Sequence, residues 1–182
     1  MFIDKEWVKE KGACTEGYRY FLENFPEGAE YQDILNKLAT DNRADWAAWL
    51  LEKAGPVNTV LEVDELTAET SFFFAGKIIV KGAIAVAKWL LAGSGIEAGD
   101  GIEAGDGIKA GWGIEAGDGI EAGDGIKAGD GIEAGDGIEA GSDYGIYAGL
   151  RIRISMKAQY AVVVAKEAPN NLVLGTYKGP KE

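Results

Sequence analysis

Residues 95–141 read GIEAGDGIEAGDGIKAGWGIEAGDGIEAGDGIKAGDGIEAGDGIEAG, a six-residue unit that repeats with few changes. Residues two apart in an extended strand share a face, so each unit points Ile and Ala to one side and Glu or Lys to the other. The Gly-Asp-Gly step then turns the chain, because aspartate favours turns and glycine adopts positive φ angles at little cost. One unit cannot bury its apolar side chains alone, which predicts a β-solenoid with coils stacked about 4.8 Å apart.

The spacing of two lysines indicates the length of one coil. Lys109 and Lys127 are 18 residues apart, which predicts three hexads per coil, a triangular solenoid and a single column containing both lysines. A coil of two or four hexads stays an alternative. Read backward from Ile96 in steps of six, the position that holds Ile in the repeat continues without a gap to Val60. The position two residues later, which holds Ala in the repeat, continues back to Glu62. Read forward, the register is broken by two residues at 143–144.

The chain divides into three parts. Residues 1–57 form a predicted helical head, with apolar residues at helical spacing in 16–25, 31–38 and 44–53, and with Asp41 or Asn42 as the N-cap of the third helix. Residues 58–150 form the predicted solenoid. Residues 151–182 form a strand-rich tail, with strand patterns at 151–156, 160–164 and 172–177 and a turn signal at 168–171, which predicts a β-hairpin. The expected fold is therefore mainly β: a hexapeptide-repeat β-solenoid with an N-terminal α-helical cap and a C-terminal β-hairpin that protect the open strand edges.

The charge of the chain is strongly negative. The formal net charge is −12, which disfavours direct binding to nucleic acid and favours a basic protein partner. Residues 95–141 contain six Glu, six Asp and two Lys, and the first two full coils carry −3 and −4. Since a coil rises about 4.8 Å and duplex DNA carries about one charge per 1.7 Å, the two line charges are comparable.

The high negative charge per unit length of the repeat leads to a hypothesis about function. The repeat would imitate a nucleic-acid backbone and occupy the basic groove of a nucleic-acid-binding protein or complex. The candidate partner-binding residues are the acidic columns together with one exposed aromatic residue at a turn: Glu97, Asp100, Glu103, Asp106, Trp112, Glu115, Asp118, Glu121, Asp124, Asp130, Glu133, Asp136 and Glu139. Two alternatives stay open, a structural or oligomeric scaffold with a solubilising acidic surface and a Ca²⁺-binding β-roll.

Other functions find little support in the sequence. The chain has no histidine, and its Ala lies two positions after Ile, unlike the order in hexapeptide acyltransferases, so we do not expect an enzyme. Cys14 is the single cysteine, and without a histidine to activate it we expect a buried structural role. We expect no cofactor and no metal site. Without an apolar stretch long enough to cross a bilayer, we expect no membrane contact and a cytoplasmic location.

The sequence resembles a group of uncharacterised bacterial and phage-borne proteins with a short helical head and GI(E/K)AG(D/W) repeats. The matching parts are Asp45-Trp46-Ala47-Ala48-Trp49-Leu50 and residues 95–149. In mechanism the chain is similar to pentapeptide-repeat proteins that mimic DNA and to acidic anti-restriction and anti-CRISPR proteins. That similarity implies a binding surface made of the acidic columns and no catalytic residue. A further hypothesis is an isologous homodimer formed through residues 151–182.

Overall fold

The computed structural model of the protein describes residues 1–150 and 161–180; the predicted strand at 151–156 lies outside them. The head contains β1 (Phe2–Ile3), α1 (Lys5–Glu10), α2 (Thr15–Asn24), β2 (Ala29–Glu30), α3 (Tyr31–Thr40) and α4 (Ala44–Ala54). The three predicted helices are confirmed as α2 to α4. The sequence analysis missed α1 and the short antiparallel pair of β1 and β2.

Side chains from all four helices form one apolar core, and side chains at the starts of α1 and α2 accept hydrogen bonds from free backbone N–H groups. The carboxylate of Asp4 accepts a hydrogen bond from the N–H of Trp7 at 2.8 Å and caps α1. The Sγ atom of Cys14 accepts from the N–H of Gly17 at 3.3 Å and caps α2. Cys14 is exposed, so the expectation of a buried cysteine was wrong: the helix start places this residue at the surface.

The predicted N-cap of α4 was also wrong. Its N-cap is Arg43, which makes no side-chain capping hydrogen bond. Asp41 instead ends α3, where it accepts hydrogen bonds from Lys37 and from the hydroxyl of Tyr20, and these bonds lower the pKa of Asp41. Asn42 has a φ of 53°, because the short link between the two helices needs a left-handed residue, which Asn tolerates.

In the described residues, three parallel sheets follow the head, one on each face of a triangular solenoid of about six turns. The first face contains β3 (Val60–Val63), β6 (Lys77–Val80), β9 (Ile96–Ala98), β12 (Ile114–Ala116), β15 (Ile132–Ala134), β18 (Val162–Val164) and β20 (Thr176–Lys178). The second face contains β4 (Leu66–Ala68), β7 (Ile84–Val86), β10 (Ile102–Ala104), β13 (Ile120–Ala122) and β16 (Ile138–Ala140). The third face contains β5 (Phe72–Phe74), β8 (Leu90–Ala92), β11 (Ile108–Ala110), β14 (Ile126–Ala128), β17 (Ile146–Tyr147) and β19 (Leu172–Leu174).

The strand register confirms a coil of three hexads. Ile114 lies opposite Ile96 and Ile132, and Lys109 lies opposite Lys127, so the repeat continues along each face with a step of 18 residues. The Ile column and most of the Ala column are buried, and both point into the triangular core. The interior is therefore a stack of Ile and Ala side chains, while the middle residue of each strand points outward.

The first coil departs from the predicted register. Leu61, and not Val60, lies opposite Ile78, and the side chain of Val60 is 49 % exposed. The turn after β3 contains two residues, Asp64 and Glu65, where the regular repeat has three. This loss of one residue moves Leu61 and Val63 to the core side and turns Glu62 outward. The predicted break at 143–144 is confirmed, because Ile146 lies opposite Ile126 across two additional residues.

The tail is not the predicted hairpin. β18 pairs in parallel with β15 and with β20, and β19 pairs in parallel with β17, so these strands continue the solenoid. The buried Val163 lies opposite Ile132 and extends the apolar column of the first face. The side chain of Asn171 donates a hydrogen bond to the carbonyl of Ala140 at 2.9 Å, which joins the tail to the end of β16.

The head packs against the first coils of the third face. Phe73 and Leu91 point outward from β5 and β8, and each is 1 % exposed because α3 and α4 cover them. The amide of Gln32 in α3 donates to the carbonyl of Phe73 at 2.8 Å and accepts from the N–H of Ala75 at 2.9 Å. The head therefore satisfies backbone groups along β5, the first strand of this face, and acts as a cap there.

The glycines of the repeat serve a different purpose from the one expected. Among the described residues, positive φ angles are found at glycines 12, 28, 55, 149 and 175, and at none of the glycines from 95 to 141. Glycines that follow Ala, such as Gly117 and Gly123, instead lie directly against a carbonyl group of the preceding coil, where a Cβ atom would overlap it. Glycine is thus required at these corner positions because neighbouring coils approach each other too closely to admit a side chain.

Candidate partner-binding surface

The outward residue of each strand on the second face is a glutamate in three successive coils. Glu103, Glu121 and Glu139 lie opposite one another in register on β10, β13 and β16, and all three side chains are exposed. Thr67 and Ala85 occupy the same column nearer the head. The acidic part of the second face therefore begins with the regular repeat and continues to its last strand.

Aspartates form a column at each of the two corners that border the second face. Asp100, Asp118 and Asp136 stack at the corner shared with the first face, where each backbone N–H donates to the residue one coil earlier. Asp106 and Asp124 stack in the same way at the corner shared with the third face. The second face thus presents three parallel columns of carboxylates, which we call the acidic face.

A groove of about 910 Å³ runs along the acidic face. Its floor contains the glutamate column, and residues 167–171 of the tail lie at its side. This segment contributes Glu167, a further carboxylate, and the amide side chains of Asn170 and Asn171. The tail that follows the regular repeat therefore adds to the candidate surface, which the sequence analysis did not predict.

The first face carries a second glutamate column, formed by Glu97, Glu115 and Glu133. One member of this column is neutralised, because Lys77 forms an ion pair with Glu97. Ion pairs likewise lie at the two ends of the corner it shares with the acidic face: Lys81 contacts Asp64 at 2.8 Å and Lys166 contacts Asp136 at 3.3 Å. The glutamate column of the first face is consequently less uniformly negative than that of the second, while Lys166 also neutralises one aspartate of the acidic face itself.

The predicted position of Trp112 at a turn is confirmed, and its side chain is 47 % exposed. It lies at the corner between the third and first faces, where its carbonyl accepts a hydrogen bond from the N–H of Asp130. It also borders a crevice of about 320 Å³ that contains Glu97, Glu115 and Glu133. Trp112 and Asp130 are thus the two candidate residues that lie farthest from the acidic face.

The lysines lie on the third face, on the side that the head covers. Burial lowers the pKa of Lys109, the positive charge of Lys127 lowers it further, and the carboxylates of Glu52 and Asp45 in α4 oppose this shift. The ammonium of Lys127 lies 5.5 Å from the ring centroid of Tyr147. In each regular coil, the outward residue of the strand is Glu on the first two faces and Lys on the third. Negative and positive side chains of these strands therefore lie on different faces.

The docking of the head on the third face was missed, although the sequence contained a signal for it. The outward position that holds Glu or Lys in the regular repeat holds Phe73 and Leu91 in the first two coils of this face. Apolar residues at an otherwise charged position indicate a covered surface. Their spacing of 18 residues, equal to that of the lysines, assigns all four residues to one face.

Among the described residues, no group of three or more Asp, Glu, Cys or His is placed to hold a metal ion. In the described part of the chain, none of the helices combines the length and hydrophobicity that crossing a bilayer requires.

The head is similar to a known family. The model of the family described as the YdhT N-terminal domain matches residues 1–55, which are the helical head without the solenoid. Neither a curated protein nor a solved structure matches the chain. The comparisons therefore concern the head alone, and the resemblance of the repeat to DNA mimics stays a hypothesis.

Proposed function

We propose that this protein is not an enzyme and that it binds a basic, nucleic-acid-binding protein through its acidic face, in place of DNA or RNA. The observation that supports the proposal is the arrangement of the acidic face: a column of exposed glutamates lies between two columns of aspartates, and both lysines of the repeat lie on another face. A negative surface of this kind is complementary to a groove that evolved to hold phosphates.

The regular spacing of the carboxylates supports mimicry of a nucleic-acid backbone. Neighbouring coils place equivalent carboxylates about 4.8 Å apart, and three columns share one face. A partner with clustered Lys and Arg would gain affinity through release of the counterions that such an array attracts, and association would be accelerated by electrostatic steering. The proposed partner class includes bacterial defence complexes that hold DNA in a basic groove, which would make the protein an anti-restriction or anti-CRISPR inhibitor.

Separation of charge by face also favours binding over simple solubility. A solubilising surface serves best when both signs are interspersed, because like charges on neighbouring strands destabilise a sheet. Here Glu121 has a glutamate opposite it on both sides, at Glu103 and Glu139. The alternative function, a scaffold whose acidic surface only keeps it in solution, requires no such separation.

The proposal is tested by comparing two charge-matched triple variants of the full chain. Glu103→Gln, Glu121→Gln and Glu139→Gln together remove three charges from the acidic face. Glu97→Gln, Glu115→Gln and Glu133→Gln together remove three charges from the first face and serve as the control. Each immobilised protein is incubated with bacterial lysate, and the retained proteins are eluted with salt and then challenged with duplex DNA.

We expect the unmodified protein and the first-face variant to retain the same partner at low salt and to release it by about 200 mM salt or on addition of DNA. The acidic-face variant should retain several-fold less of that partner. Equal retention by both variants would support the scaffold and contradict the proposal. A partner that resists both salt and DNA would also contradict it.

A further inference from the structure

A partly open cavity of about 230 Å³ lies in the helical head. The residues that line it all fall within residues 1–55, the segment that matches the family model, and none belongs to the solenoid. Five elements contribute buried wall residues: Ile3 of β1, Val8 of α1, Phe21 of α2, Leu38 of α3 and Leu50 of α4. The cavity is therefore a product of the fold of the head itself.

The wall of the cavity is mostly apolar, and the polar side chains in it are those of Cys14, Tyr20, Trp46 and Trp49. Tyr20 lies in the wall, but its hydroxyl donates a hydrogen bond at 2.7 Å to Asp41, which is not a wall residue. Because a buried water needs about two to four polar partners, water is a poor occupant of this space.

Aromatic contacts hold part of the wall in place. Trp46 and Trp49 of α4 both line the cavity. The ring of Trp46 packs edge-on against Tyr20 with centroids 5.2 Å apart, and that of Trp49 packs edge-on against Trp7 at 6.3 Å. Rings fixed in this way cannot rotate freely to fill the space. An apolar cavity of roughly 150 Å³ accommodates benzene, so the larger cavity in the head has room for a substituted ring.

We infer that the head binds a small apolar molecule, of the size of a substituted benzene, in this cavity. Cys14 lines the cavity and is also exposed to solvent, which places an opening beside it. Gly12, Ala13 and Gly17 also line the cavity and leave space there because their side chains are small or absent. This binding site is separate from the acidic face and does not depend on the proposed function.

The experiment uses the full-length protein with ethylbenzene as the apolar probe and phenylacetate as its charged counterpart of similar shape. Cys14 is the single cysteine of the chain, so its rate of reaction with a thiol reagent reports on the opening of the cavity. We expect ethylbenzene to slow this reaction several-fold with saturation, and to raise the melting temperature by roughly 5 °C at a hundredfold excess over Kd. Phenylacetate at the same concentration should do neither.

Two variants that fill the cavity from different walls complete the test. Leu38→Phe and Val8→Phe should each abolish both effects of ethylbenzene, and either one suffices if the other does not fold. The inference is overturned if ethylbenzene has no saturable effect on the original protein. It is also overturned if phenylacetate is equally effective, or if a folded variant retains the full response.

Discussion

Each hexad of the repeat contains two glycines, and the structure gives them different surroundings. A Cβ atom on Gly117 would overlap the carbonyl oxygen of Gly99 and lie 2.9 Å from its carbonyl carbon, whereas one on Gly119 would lie 3.5 Å from the oxygen of Gly137, an ordinary contact. Both glycines adjoin the same aspartate, Asp118, and both recur every six residues. The period of six alone therefore does not distinguish the glycine that sterics require from the one that tolerates a side chain.

This difference predicts opposite outcomes for two substitutions that are chemically identical. Gly117→Ala should destabilise the protein by about 1–3 kcal/mol, because neighbouring coils must move apart to admit the methyl group. Gly119→Ala should leave stability unchanged or raise it by about 0.4–1 kcal/mol, because it restricts the unfolded chain. Urea denaturation of the two variants checks this, and equal effects would show that the close approach of the coils is not the cause.

At the scale of a single strand, Glu121 lies between two like charges on the acidic face. Removing its charge with Glu121→Gln should stabilise the fold by about 0.2–1 kcal/mol at low salt, because cross-strand repulsion disappears. The gain should shrink in 1 M salt, where the Debye length is about 3 Å. Thermal denaturation at the two salt concentrations measures it.

Glu23→Gln provides the control for that comparison. Glu23 is exposed in α2, outside the glutamate columns, so its substitution should have no effect beyond about 0.5 kcal/mol at either salt concentration. A loss of stability in Glu121→Gln at low salt would mean that the column is not repulsive. A gain combined with weaker partner binding would fit a surface kept for function at a cost in stability.

The same scale shows how far the sequence predicted the elements. The Ile and Ala columns and the helices α2 to α4 were predictable because a period repeats along the chain. The tail was not, since the apolar run at 162–164 and the turn near Asn171 are equally typical of a hairpin and of one more coil. The choice depends on which distant strand lies opposite Val163, and that register is set by the solenoid already formed. The one-residue shift at Leu61 was missed for a related reason. A turn that is one residue shorter leaves the residues of the strand unchanged, but it exchanges those that face the core with those that face solvent.

At the scale of the whole molecule, the position of the head distinguishes the three faces of the solenoid. It covers the third face through Phe73 and Leu91, and the lysines follow on that same face, so the two remaining faces receive the glutamates. The candidate residues were all predictable from the sequence as members of columns. The difference between the acidic face and the first face was not, because it depends on where Lys77 and the tail segment 167–171 lie in space.

Because the acidic face is defined by where its residues lie in space, we expect the arrangement of charge, and not its amount, to determine partner binding. Duplicating residues 113–130 adds one full coil, and duplicating residues 113–124 adds two hexads; each insertion changes the formal charge by −4. The longer insertion keeps every column intact. The shorter one shifts the following residues by two faces, so that the lysine now at Lys127 enters the glutamate column of the acidic face. Both chains should fold with unfolding transitions like that of the parent, since every hexad can occupy any face.

We therefore expect the one-coil insertion to bind the basic partner more tightly and with a steeper dependence on salt, because it lengthens all three acidic columns. The two-hexad insertion should bind more weakly than the parent despite its added negative charge, because a lysine interrupts the column. Retention of the partner across a salt series measures both. If the two insertions bound equally well, net charge would explain the interaction and the geometry of the acidic face would not. Circular dichroism and melting curves first establish that both insertions have folded, so that a loss of binding reports on the surface alone.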